Sequence, residues 1–106
     1  MFTPELFEQV KRKCNVTWQD NDTDARLKEI IESAIPTLIH RLGISDPDFD
    51  FSLLGQENLF FLNYCFYEWN HALNEFLDNY SDDMATIRAK NEVKAYRESG
   101  EVVTNG

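Results

Sequence analysis

Apolar residues recur at helical spacing in four stretches of this 106-residue chain. The first runs from Pro4 to about Cys14, with Leu6, Phe7, Val10 and Cys14 on one face. Thr3 suits the N-cap, Pro4 suits the first helical position, and Phe2 can staple onto Phe7. The second starts near Asn21–Thr23 and ends before Gly43, a natural C-cap. Its apolar positions are Leu27, Ile30, Ile31, Ala34, Ile35, Leu38, Ile39 and Leu42. Pro36 stands inside this pattern, removes a hydrogen bond to the Glu32 carbonyl, and is expected to kink or split the helix. The third stretch, from about Gln56 to Asp78, carries Leu59, Leu62, Phe66, Trp69, Leu73, Phe76 and Tyr80 as one continuous seam. The fourth starts at Ser81 as N-cap, with Asp82 and Asp83 in its first turn, and runs to about Glu98. The pattern predicts an all-α, single-domain bundle of four helices over residues 1–98, centred on the aromatic third helix. Residues 99–106 follow as an extended C-terminal tail, an interaction segment.

Two stretches depart from ordinary amphipathicity. The first half of helix three is apolar all round, because Phe60, Phe61, Tyr64, Cys65 and Tyr67 cover the sides away from the seam. A helix of that kind must be enclosed all round, and a short chain has little material for it. Phe60, Phe61, Tyr64 and Tyr67 are therefore expected to meet another subunit. Helix four has the opposite character, with Met84, Ile87 and a weak stripe of Ala85, Ala89, Val93 and Tyr96. It packs lightly or docks on something else. The tail shows no helical pattern, and Val102-Val103 suits a groove or a sheet edge.

Charge sharpens the picture. Asp+Glu number 19 against Lys+Arg 10, a net charge of −9. Between Arg41 and Arg88 there is no Lys or Arg, so the whole imbalance sits mid-chain, in Asp46, Asp48, Asp50, Glu57, Glu68, Glu75, Asp78, Asp82 and Asp83. Such a chain repels phosphate backbones and anionic membranes. The one basic cluster, Lys11-Arg12-Lys13, reads as a solvated helix end. No apolar run approaches the ~18 residues that a membrane span requires, and the opening residues do not read as an export signal. Gly 4 and Pro 3 are too few for a turn-rich β fold.

Chemistry is sparse. No phosphate-binding glycine loop, nucleophile elbow or zinc-protease motif occurs. His40 and His71 have no ligand-spaced partner, and Cys14 and Cys65 read as reduced, buried thiols. Asp20-x-Asp22-x-Asp24 and Asp46-x-Asp48-x-Asp50 begin like calcium loops, but Ala25 and Phe51 replace the glycine that makes the turn. The first run is read as capping helix two and the second as a solvated acidic loop, Gly43 to Ser52, anchored to the body by Phe49 and Phe51. No catalytic residue, metal or cofactor is expected.

The order of these features resembles the small head–tail connector (adaptor) proteins of long-tailed bacteriophages. The resemblance spans about Val10 to Arg97. It rests on Val16-Thr17-Trp18 with the acidic stretch Asp20–Asp24, then the amphipathic helix ending Arg41-Leu42-Gly43 and the Phe51 loop. It continues through Leu62-Asn63-Tyr64-Cys65-Phe66-Tyr67, Asn70, Ala72-Leu73 and Phe76, and ends with Asn91-Glu92-Val93-Lys94-Ala95-Tyr96. The resemblance implies a ring of about a dozen copies under the portal, in the virion neck, assembled in the bacterial host cytoplasm. Its partners would be the portal protein, a tail-side stopper or completion protein, and further copies of itself. Double-stranded DNA would pass through without specific binding. Carried onto this chain, portal docking falls to Ala89, Val93, Tyr96, Val102 and Val103, and Asp46, Asp48, Asp50, Asp78, Asp82 and Asp83 could line the channel. The rival reading is an acidic phage-encoded inhibitor that mimics DNA and blocks a host nucleic-acid enzyme. A helix-turn-helix regulator is disfavoured, because helix three lacks Lys and Arg.

Overall fold

The structure is a computed structural model that describes the backbone of residues 1–104 and the side chains of residues 1–98. It contains four helices and, among the described residues, no strand: α1 Pro4–Lys13, α2 Asn21–Arg41, α3 Gln56–Trp69 and α4 Leu73–Thr104. α3 lies at the centre and packs against each of the others, and α1 also packs on α2.

The N-terminal caps follow the sequence closely. The Thr3 hydroxyl accepts a hydrogen bond from Leu6 N (3.1 Å), and the Phe2 and Phe7 rings sit 6.0 Å apart. Asp20 caps α2 by accepting from Thr23 N at 3.1 Å and from the Thr23 hydroxyl at 2.8 Å. α2 is one helix through Pro36; it does not split. Pro36 is exposed, so the Glu32 carbonyl it orphans faces the solvent side, where water can satisfy it.

Three helices end in the same way. Their last turns close with paired backbone bonds around a residue in the left-handed conformation: Asn15 (φ 58°), Gly43 (φ 65°) and His71 (φ 56°). At each, the left-handed residue and its successor donate back to the helix, as in Gly43 N to His40 O (3.2 Å) and Ile44 N to Ile39 O (3.0 Å). At the third, His71 N donates to Glu68 O (3.0 Å) and Ala72 N to Tyr67 O (2.8 Å).

That third closure corrects the predicted boundaries. Helix three does not run to Asp78; it stops at Trp69, and the seam Leu59–Tyr80 belongs to two helices. Ser81 is not an N-cap but an exposed residue inside α4. The backbone stays helical past Glu98, so the helix has no boundary at residue 98. Reversal at Asn70–Ala72 folds the start of α4 back onto α3. Phe76 then meets Phe60 (5.1 Å between centroids), Tyr64 (5.4 Å) and Tyr67 (5.5 Å), and stacks on Tyr80 (4.7 Å).

The remaining core is Leu6 and Val10 of α1, Cys14 and Val16 after it, the apolar face of α2, Phe51, Phe61 and Cys65, and Ile87 of α4. The loop between α2 and α3 is tied down by Phe51, which stacks on Phe61 at 4.5 Å, and by the buried Asn58. Asn58 Nδ2 donates to Phe51 O (2.7 Å) and to Gln9 Oε1 (2.8 Å), and Gln9 Nε2 donates to Ser52 O (3.0 Å). Each buried polar atom in this bridge therefore has a partner.

Both cysteines are free and buried. Burial pushes the Cys14 thiol up to about 11, against the pull of Arg26 and Lys13. Burial, with Cys14 and Glu68 adding to it, drives Cys65 well above its usual value. A thiol at about 11 holds roughly 100-fold less thiolate than an unshifted one. Native protein is expected to react with Ellman's reagent at least about 100-fold more slowly than urea-unfolded protein. Rapid labelling of either thiol in the native state would contradict this packing.

Candidate interaction surfaces

The chain covers its own aromatic helix. Phe60, Phe61 and Tyr64 are 4%, 0% and 7% exposed, and Tyr67 is partly buried against Phe76 and Tyr80. The expected subunit interface at Phe60, Phe61, Tyr64 and Tyr67 is thus corrected: the first three rings are interior, and Tyr67 is partly covered by the chain itself. The N-terminal third of α4, brought back by the reversal at His71, covers Phe60, Tyr64 and Tyr67, while Phe51 of the α2–α3 loop covers Phe61.

The apolar surface that is uncovered lies elsewhere. Leu53, Leu54 and Leu59 are 63%, 89% and 64% exposed. Leu54, Leu59 and the half-buried Leu62 form a shallow groove on the open side of α3, walled by Gln9, Arg12 and Lys13 of α1. On the other flank of Leu59 lies a second hollow, lined by Asn63, Tyr80 and Asp83. Leu53 and Leu54 carry no periodic signal, because they lie in the loop before α3. Leu59 was hidden from the sequence because it fits the core seam on spacing alone. The basic turn Arg12-Lys13, read as a solvated end, edges this groove.

The second uncovered surface is on α4. Phe76, Ile87 and the half-buried Asn91 mark its inner side. Ala85, Ala89, Val93 (49% exposed) and Tyr96 (78%) form the opposite side, and all four are exposed. Ala89, Val93 and Tyr96 are the docking residues named from the sequence, and they share one face. Val102 and Val103 lie outside the residues whose side chains are described.

Three side chains of α4 place that face relative to the bundle. Arg88 Nη1 donates to His40 O (3.2 Å) and Arg41 O (3.4 Å), and Asn91 Nδ2 donates to Leu42 O (2.8 Å). These bonds reach carbonyls of the last turn of α2, and His40 O accepts from Gly43 N as well. Gly43 permits the crossing, since a Cβ there would lie 3.2 Å from Arg88 Cγ and 3.3 Å from Glu92 Cγ. Lys90 Nζ reaches α3, donating to Glu57 Oε2 (2.9 Å) and Gln56 Oε1 (3.1 Å). At the start of α4, the Arg26 guanidinium lies 4.2 Å from the Trp69 ring centroid. Its Nη2 donates to Trp69 O (2.7 Å) and stands 3.3 Å from His71 Nε2. Arg26 thus binds α2 to the α3–α4 reversal.

Glu57 reports on this crossing. Burial pushes its carboxyl up, but the Lys90 hydrogen bond and charge, with help from Asn91, outweigh burial and hold it below the usual value. A depressed carboxylate stabilises the fold above its unfolded pKa, and that contribution is lost as pH falls through the folded value. In Lys90→Met the Glu57 carboxyl is expected to titrate higher than in the wild type, by NMR of its side-chain carbon. An unchanged titration would mean that Lys90 does not hold Glu57. Glu68 has the opposite sign: burial raises it, despite Arg26.

The six acids proposed for a channel fall into separate groups. Asp46 and Asp48 are exposed in the α2–α3 loop, where Asp46 Oδ1 accepts from Asp48 N (2.8 Å). Asp50 accepts from Ser52 N (2.9 Å) and the Ser52 hydroxyl (2.6 Å), which holds its carboxyl below the usual value. Asp78 and Asp82 are exposed one turn apart on α4, and Asp83 borders the second hollow at Leu59. Among the described residues, no group of three or more His, Cys, Asp or Glu side chains is placed to hold a metal ion. Among those residues, no helix is long and apolar enough to cross a membrane.

No family model, curated protein or solved structure matches the chain.

Proposed function

We propose that this protein is a structural subunit of a bacteriophage head–tail connector, which docks beneath the portal ring through the outer face of α4. The observation that carries this reading is the unpartnered stripe Ala85, Ala89, Val93 and Tyr96 on a helix whose opposite side is fixed to the bundle. A helix so held presents an apolar strip at a set angle, as an anchor in a partner's groove requires. The exposed leucines Leu53, Leu54 and Leu59 are the surface offered to a neighbouring copy in the ring. Acidic loops and helix faces turned to the lumen would repel DNA in transit, while tail-side proteins bind the opposite rim. The chain has no catalytic task in this reading.

Co-sedimentation with the purified portal ring encoded in the same genome tests the proposal. Full-length protein is expected to sediment with the ring. The double variant Val93→Asp, Tyr96→Asp is expected to remain in the supernatant with an unchanged circular dichroism spectrum. Equal sedimentation of wild type and variant would remove α4 from the docking surface, and no sedimentation of the wild type would overturn the proposal. A version cut after Ser99 reports separately on the last residues, and is also expected to lose binding.

One observation favours the acidic-inhibitor reading. Glu75, Asp78 and Asp82 are exposed along one side of α4, with a rise of about 5 Å per turn, a spacing usable by a DNA mimic. In that case the protein would compete with duplex DNA for a nuclease or repair enzyme and would ignore the portal.

A further inference from the structure

The outer face of α4 is complementary to itself. Ala85, Ala89, Val93 and Tyr96 place two small side chains towards the start of the exposed strip and two larger ones towards its end. If a second α4 lies antiparallel on the first, with the two-fold axis between Lys90 and Asn91, Tyr96 of one copy falls over Ala85 of the other. Val93 then lies within about one residue's rise, ~1.5 Å, of Ala89. Large side chains meet small ones at each layer, as close helix packing needs. The opposite, parallel arrangement stacks Tyr96 on Tyr96 and leaves a gap at Ala85.

The charges lie close to the same register. Asp82, two turns before Ala89 in the line of the strip, comes within about two residues' rise, ~3 Å, of Arg97 beside the partner's strip, and the two-fold repeats the pair. On the other side of the strip, Arg88 comes within about one residue's rise of Glu92. Within one chain, Arg88 already pairs with Glu92 at 2.7 Å, so that pair can extend into a four-member network across the axis. Asp82 and Arg97 are exposed and form no ion pair among the described residues. Acids dominate the first half of α4 and Lys90, Lys94 and Arg97 its second half, so reversing one copy brings unlike charges together along the helix.

We infer that the free protein forms a two-fold dimer through antiparallel pairing of α4, centred between Lys90 and Asn91. This goes beyond the connector reading and does not depend on it, since the pair forms from the chain alone. Where a portal is present, pairing and docking use the same strip, so one excludes the other.

The test uses the full chain at about 100 μM in low salt, with mass from light scattering and sedimentation velocity, because ion pairs at the flanks are screened by salt. Wild type is expected at twice the 12.4 kDa chain mass, with weaker association in 0.5 M salt. Asp82→Arg alone and Arg97→Asp alone are each expected to be monomeric, because each sets like charges opposite one another twice. An equimolar mixture of the two variants restores the dimer. In the mixed pair, one chain carries a base at both flank positions and its partner an acid at both, so unlike charges meet at each end. Orientation is read from thiols: chains with Ala89→Cys cross-link to chains with Val93→Cys, and neither cross-links well with itself. A wild-type monomer at this concentration, a mixture that stays monomeric, or self-cross-linking of each cysteine variant would overturn the inference. Circular dichroism of each variant separates lost pairing from lost folding. Portal binding plays no part in the measurement, so failure here leaves the connector proposal standing.

Discussion

Replacing Phe76 with alanine is expected to lower the free energy of unfolding by about 3–5 kcal/mol. Phe76 is 1% exposed and holds the reversal of α4 onto α3 by touching Phe60, Tyr64, Tyr67 and Tyr80. Removing the ring forfeits its burial and leaves a cavity whose walls are aromatic and poorly able to close. The loss is a large share of the ~5–15 kcal/mol typical of a small domain. Urea unfolding followed by circular dichroism measures it. Phe76→Leu, which keeps most of the volume, is expected to cost about 1 kcal/mol and guards against outright misfolding. Tyr96→Ala is the contrast: at 78% exposed, it is expected to change stability by less than about 0.5 kcal/mol. Equal costs at Phe76 and Tyr96 would mean that α4 does not fold back as described.

Phe51→Ala is the second large effect, about 3 kcal/mol. Phe51 is fully buried, stacks on Phe61 at 4.5 Å, and meets Phe49 edge-on at 5.0 Å. It is the fully buried aromatic of the α2–α3 loop, with Phe49 partly buried beside it, and its own carbonyl is the acceptor for buried Asn58. Loss of the ring releases the loop from α3 and weakens that hydrogen bond with it. Hydrogen exchange distinguishes this from a uniform loss. Amides between Gly43 and Gly55 are expected to lose protection beyond the global change, while those of α2 follow the global value. Retained protection in the loop would show that Asn58 and Gln9 hold it without Phe51.

The first two helices, their N-terminal caps and the core face of α2 are legible in the sequence because each depends on local signals. Thr3, Asp20 and Gly43 act through bonds to near neighbours, and the α2 spacing states its own buried side. Phe49 and Phe51 read correctly as loop anchors, since large apolar residues in an acidic loop have few other uses. The α3–α4 reversal was hidden for a physical reason. Asn70-His71-Ala72 contains neither glycine nor proline, and the apolar seam crosses it in phase. A histidine in the left-handed conformation is uncommon, and what holds it is tertiary: Arg26 on Trp69 and the return of Phe76. That single miss led to a second. Without the reversal, Phe60, Tyr64 and Tyr67 lack their cover within the chain, and the sequence points to a neighbour instead. The α4 strip, by contrast, was legible as a face too thin for a core. Leu53 and Leu54 were not, because loop exposure has no periodicity.

The clamp of Arg88 and Asn91 onto the end of α2 fixes more than a contact. It sets the rotational phase of everything that follows on α4. One residue added between Glu92 and Val93 would turn the remainder of the helix by about 100° while leaving the clamp in place. Tyr96 would then swing away from Ala85 and Ala89, dividing the strip without removing a single side chain. The protein's handle is thus keyed by an angle as well as by chemistry.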